Sequence, residues 1–186
     1  MKKIRQILLI LLLAFMTGNV VAADVVPGLL GFNLGSKLEG EECPKSGPGV
    51  VYPPVCIKYH NSSSWKVGSM VDQYQVLMDF DRLPAWAGEF TLVVQDGIIV
   101  EMTLNTRGFV VETEAYDAVV KRLGRPKTTG VKNWRHRQIG MIQSRNATWS
   151  EKTWFAVFEG LSLQLDTGYL TISKRVEIPK IVSPAL

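Results

Sequence analysis

Cysteine and histidine are scarce in this chain, and each scarcity closes a route to function. Among 186 residues there are two cysteines, Cys43 and Cys56, and two histidines, His60 and His136. A metal site on Cys56 and His60 lacks paired Cys-x-x-Cys or His-x-His spacing and an obvious fourth ligand, so no metal is expected. A Ser-His-Asp triad has only these two imidazoles to draw on, and no Gly-x-Ser-x-Gly elbow is present. Ser63-Ser64-Trp65-Lys66 fits Ser-x-x-Lys, but no Ser-Asp-Asn accompanies it and Lys127-Thr128-Thr129-Gly130 misses Lys-Thr-Gly by one residue. A polar loop between strands accounts for those residues. Asp79 and Asp81, flanking Phe80, are the nearest thing to paired carboxylates, and solvation of a strand end accounts for them equally well. Without a catalytic or cofactor signature, the chain reads as a non-enzyme with no cofactor.

Long apolar runs are also lacking. The single stretch, Ile7 to Met16, is shorter than the roughly 20 residues that cross a bilayer. Its setting is informative: Met1-Lys2-Lys3-Ile4-Arg5 is cationic, Thr17-Gly18-Asn19 is polar, and Val21-Ala22-Ala23 places small residues before Asp24. That order is a secretory signal peptide cleaved near Ala23. No cysteine sits at the cleavage point, so the expected product is periplasmic or secreted, and not a lipoprotein.

Removing residues 1–23 changes the charge. Lys+Arg falls from 21 to 18 with the loss of Lys2, Lys3 and Arg5, against 17 Asp+Glu, so the net charge drops from +4 to +1. A general argument for nucleic-acid binding from high pI then fails. Export also bears on the cysteines: in an oxidising compartment Cys43 and Cys56 are expected to form a disulfide. A loop of that size stabilises by roughly 3 kcal/mol on the chain-entropy model.

The remaining 24–178 reads as one exported α+β domain, divisible into two loosely similar halves, 24–107 and 108–178, with 179–186 as a flexible tail. Gly31-Phe32 and Gly108-Phe109 open the halves, and Asp96-Gly97 and Thr167-Gly168 each sit in a terminal hairpin. Alternation predicts a strand from Met70 to Phe80, with Met70, Tyr74, Val76, Met78 and Phe80 on one face. Glu89–Gln95 and Ile98–Thr106 read as strands joined at Asp96-Gly97, the residues a type I′ turn demands. Tyr116, Val119, Val120 and Leu123 form a helical stripe over about 113–124. Thr113 is the expected N-cap, Lys121 and Arg122 occupy the last turn, and Gly124 then Pro126 close it. Strands follow at Ala147–Ser150, Thr153–Phe158, Leu161–Asp166 and Tyr169–Ser173. The fold class is therefore α+β, a mainly antiparallel sheet with one packed amphipathic helix.

The helix closing in Leu123-Gly124-Arg125-Pro126, Trp149 on a later strand and a final hairpin at Gly168 resemble small exported helix-plus-sheet modules. These are of the kind found in the small lipoprotein of the outer-membrane β-barrel assembly machine (BamE-like) and, as a tandem pair, in the β-lactamase inhibitory protein. The resemblance covers roughly residues 108–175. It implies an antiparallel sheet with a packed helix, used to bind another protein. The lipoprotein's lipidated cysteine is absent here, and no functional residue carries over.

Charge is segregated along the chain. Residues 72–117 hold nine acidic side chains against Arg82 and Arg107, whereas 118–150 hold eight cations and no acid. Trp134 and His136 alternate with Arg135 and Arg137, a mixed aromatic and cationic pattern suited to a protein face or an anionic partner. The competing reading is a solvated loop whose charges the acidic hairpin balances. Among the five tryptophans, Trp149 and Trp154 are expected in the core, and Trp86 and Trp65 on exposed loops, where tryptophan anchors interfaces. The candidate surface is Trp86, Arg125, Lys127, Lys132, Trp134, Arg135, His136 and Arg137. The expected partner is another envelope or extracellular protein, with an anionic envelope polymer such as lipopolysaccharide or a cell-wall polymer as the second reading. A small hydrolase comes third, and neither nucleic acid nor a transmembrane segment is expected.

Overall fold

Alternating apolar residues on successive strands dictate the architecture seen in the computed structural model, which describes residues 27–64, 70–136, 140–162 and 165–175. A two-residue ribbon, β1 (Gly28–Leu29) and β2 (Phe32–Asn33), precedes one large antiparallel sheet. Its strands are β3 (Val55–Ser64), β4 (Met70–Met78), β5 (Ala87–Gln95), β6 (Ile98–Thr106), β7 (Thr128–His136), β8 (Gly140–Ser150), β9 (Trp154–Glu159) and β10 (Gly168–Lys174). Spatial order is β3-β4-β5-β6-β10-β9-β8-β7. Each set of four consecutive strands is thus a meander, and the two meanders meet where their last strands, β6 and β10, pair. The lone α-helix of the described residues, α1 (Glu112–Leu123), lies in the crossover between them.

Register carries the core across the sheet. Ile57, Val76, Phe90, Leu104, Leu170, Phe158 and Ala147 face one another in turn from β3 to β8, and all are buried. A neighbouring row runs through Leu92, Met102, Ile172, Ala156 and Trp149. Removing a Leu or Phe side chain from water contributes roughly 1.5–3 kcal/mol, so these rows dominate the stability. Ala115 and Val119 of α1 and the ring of Trp86 bury themselves in the same cluster. The opposite face of the sheet has a small separate cluster, Val71, Val93 and Val100, and otherwise a polar row containing Thr91, Thr103, Thr171 and Thr148.

Local chemistry explains the elements and the departures from expectation. Asp96 and Gly97 both have positive φ, 51° and 77°, as a type I′ turn requires. The helix begins one residue earlier than expected, and Thr113 does not cap it. A 3-10 turn, Gly108–Val111, feeds directly into α1, and Val111 stands at the N-cap position without a side-chain hydrogen bond. Glu112 is buried in the first turn, where its Oε1 accepts the backbone N–H of Arg145 at 2.8 Å. Gly160 makes room for it, since a Cβ there would come within 2.5 Å of the Glu112 carboxylate. At the other end Gly124 closes the helix, its carbonyl accepting the Trp149 indole N–H at 2.8 Å.

Four expected segments change. The strand from Met70 ends at Met78, and Phe80 opens a 3-10 turn through Arg82. Met70 itself is exposed. Leu161–Asp166 is not a strand among its described residues: Leu161 is buried in a loop, and Leu165–Asp166 form a turn against Gly108. Val55–Ser64, its last residues expected in a polar loop, and Thr128–His136, for which a solvated loop is one of two readings, are strands. The segment expected to be a signal peptide, Trp65, Lys66, Arg137 and the expected tail 179–186 lie outside the described residues.

Gly108 is the tightest of these constraints. Its φ is +65°, and a Cβ would stand 2.2 Å from the Leu165 carbonyl oxygen and 2.5 Å from the Asp166 carbonyl carbon. Gly97 has a similar φ but nothing within 4 Å. Gly97→Ala should therefore cost about 1 kcal/mol, the conformational penalty alone. Gly108→Ala, which also drives into backbone, should cost at least about twice that. Thermal melts of the two variants check this, and equal shifts would contradict it.

Candidate functional site

The basic segment of the sequence is not a loop but a hairpin, β7 with β8, in continuous register from Thr128↔Thr148 to His136↔Gly140. β8 pairs with β9 only over Asn146–Ser150. The far part of the hairpin, Lys132–His136 against Gly140–Ser144, is therefore strand-paired only within itself and forms a two-stranded arm at the end of the sheet. Of the described residues, none pairs with the outer side of β7. The opposite edge differs: Glu42 bridges Ile57 of β3, with Cys43 N–H donating to the Ile57 carbonyl and Ile57 N–H to that of Glu41. The Cys43–Cys56 disulfide holds that cover in place.

Most of the expected cations cluster at the β7 end. Lys127, Lys132 and Arg135 are exposed on or beside β7, and Arg125 is exposed in the turn that leads into it. Lys132 pairs with Glu159 at 2.6 Å. Arg122, in the last turn of α1, donates from Nε to the Gly28 carbonyl and so fastens the β1–β2 ribbon. Arg145 lies over the Tyr116 ring, 5.3 Å from its centroid, and Tyr116 packs against Phe158. Arg122 and Arg145 are thus used by the fold, whereas Arg125, Lys127 and Arg135 present charge to solvent.

Trp134 is half-buried opposite Ile142, and its indole N–H is buried without an acceptor. Exposed Val131 and Met141 lie on the other face of the arm. His136 ends β7, and Arg137 falls outside the described residues. The acidic hairpin does not balance this surface. β10, β9 and β8 stand between β6 and β7, a separation of roughly 19 Å at about 4.8 Å per strand.

Trp86 leaves the candidate surface. Ala87 N–H donates to the Pro84 carbonyl, and this turn tips the indole into the core, where it is 7% exposed. The Pro-Ala-Trp-Ala-Gly composition correctly marks a turn but says nothing of which way the ring points. Trp149 and Trp154 are buried as expected. His60 sits at a register shift between Tyr59 and Asn61 of β3, exposed.

Sequence reading missed one further feature, an open cleft of about 550 Å³ beside the disulfide. Tyr52, Tyr59 and Tyr74 line it together with Lys45 and Lys58. They come from the cysteine loop, β3 and β4, so only the folded chain brings them together. The one local signal was the tyrosine content of these segments.

No protein-family model, curated protein or solved structure matches the chain. Among the described residues no helix is long and apolar enough to cross a membrane.

Two tyrosines have raised pKa values. Tyr74 is raised by burial and then by Asp72, and Tyr169 by burial and then by the Glu159 carboxylate. A raised folded-state pKa means that the unfolded chain ionises first. The contribution of these phenols is therefore present below about pH 10, the unfolded value, and is lost as pH rises through the folded values. Absorbance titration should show phenols ionising above the ordinary range in the folded protein and none doing so in denaturant. The Lys132–Glu159 pair is exposed enough that Lys132→Ala should cost less than about 1 kcal/mol in chemical denaturation. A larger loss would make Lys132 a structural residue rather than an available one.

Proposed function

We propose that this chain is an exported, non-enzymatic binding factor that docks another envelope or extracellular protein on the β7–β8 arm. The observation that carries the reading is the contrast between the two edges of the sheet. The β3 edge is covered at Ile57 by a segment stapled through Cys43–Cys56, while among the described residues β7 has no such cover anywhere along its length. A bare edge is a template for strand addition, in which main-chain hydrogen bonds give affinity and alternate side chains give specificity. A second copy of β7 makes a poor partner for it, because antiparallel self-pairing sets one cationic edge against another. An extended segment rich in Asp and Glu suits these cations better.

The two meanders joined at β6 and β10 also support the finer reading of the chain as two related halves, in the manner of the tandem helix-plus-sheet inhibitors that residues 108–175 resemble. On that reading the first half has given up its helix for the β1–β2 ribbon and the cysteine loop. The second keeps the helix and carries the docking arm.

The test is a pull-down from envelope extract with the protein, a Lys132→Glu/Arg135→Glu variant and a Lys45→Glu control. A specific folded partner should be retained by the protein and the control but lost, by about tenfold or more, with the arm variant. Retention by all three, or by none while polyanion resins bind the chain and release it steeply with salt, would contradict the proposal.

A further inference from the structure

The cleft beside the disulfide lies at the β3 end of the sheet, seven strand positions from β7. Its volume of about 550 Å³ falls within the range of small-molecule and cofactor sites. Three phenols form its walls. The Tyr59 and Tyr74 rings meet edge to face with centroids 5.5 Å apart, and the Tyr52 hydroxyl is 3.1 Å from the Ser46 hydroxyl. Tyr59 is 53% exposed and Tyr52 42%, a concentration of aromatic surface turned toward water. The wall is preformed: Cys43 is bonded to Cys56 on β3, and the Glu41–Cys43 backbone is hydrogen-bonded to Ile57.

The chemistry of the walls selects a ligand. A phenol offers a flat apolar face and a hydroxyl at its rim. A sugar ring is its complement, with apolar C–H faces and hydroxyls around the edge that extend the hydroxyl pairing already made by Tyr52 and Ser46. Lys45 and Lys58 are the cations of the lining and Glu42 its carboxylate, with Asp72 acting on Tyr74 from beside it, so an anion is recognised through the two ammonium groups themselves rather than through a net positive wall. The cleft is open at its mouth, and so admits one unit of a longer chain. We propose that it binds an acidic saccharide, its ring against Tyr59 and Tyr52 and its carboxylate facing Lys45 and Lys58. This site stands independently of the docking role assigned to β7.

The probe is tetragalacturonate, titrated into the protein by calorimetry at physiological ionic strength, with cellotetraose and a tetraglutamate peptide as controls. The acid sugar should bind at least about tenfold more tightly than either control, a difference of about 1.4 kcal/mol. Tyr59→Ala and Lys45→Glu should each weaken it by about tenfold or more, while Lys132→Glu/Arg135→Glu leaves it unchanged. Melting curves establish that each variant is folded, and Lys58→Glu replaces either one that is not. Absence of binding at millimolar sugar would overturn the assignment. So would tetraglutamate binding as well as the sugar, which would make the cleft a peptide site, or a loss of affinity that follows the β7 variant instead.

Discussion

The pairing of β6 with β10 is the constraint on which the rest of the molecule rests. Six residue pairs, from Gly168↔Thr106 to Ser173↔Glu101, join segments more than sixty positions apart in the chain. Leu104 meets Leu170 and Met102 meets Ile172 across this seam, all four fully buried. Each meander alone would have an apolar face and no partner to extend it. Joined here, their core rows become continuous, and one helix with the N-terminal segment covers them. The same seam fixes the two outer edges, β3 and β7, at opposite ends.

Elements whose signals are local were legible in the sequence, because neighbouring residues decide them. Asp96-Gly97 specifies its turn, the Tyr116–Leu123 stripe its helix, and the two cysteines pair as expected. Thr113 misled because a capping residue is a preference, and here the Gly108–Val111 turn and the buried Glu112 settle the helix start instead. β7 was illegible for a different reason. Apart from half-buried Gly130 and Trp134, its described side chains are exposed on both faces, so burial imposes no alternation for a reader to find. A strand without a buried face reads as a polar, basic loop.

The candidate site divides along the same line. The concentration of cations and Trp134 in one segment was visible in the sequence, and Lys132, Trp134, Arg135 and Arg145 of it fall on one hairpin. That Arg145 rests on Tyr116 and Arg122 holds Gly28 depends on long-range packing that spacing cannot reveal. The tyrosine cleft is the extreme case, assembled from three segments. Trp86 shows the converse error: a turn composition locates a residue on the chain but not the direction of its ring, and the core had room for it.

The central claim is that this sheet has a secure middle and, at β7, an edge left uncovered by the described residues. Amide hydrogen exchange of the free protein tests it most directly. Amides of β6 and β10 across the seam should exchange slowest, near the global unfolding limit, while outward-facing amides of β7 from Thr128 to Arg135 should exchange orders of magnitude faster. Protection of the β7 edge equal to that of the seam, in the absence of any partner, would mean that the edge is already covered and would contradict the account.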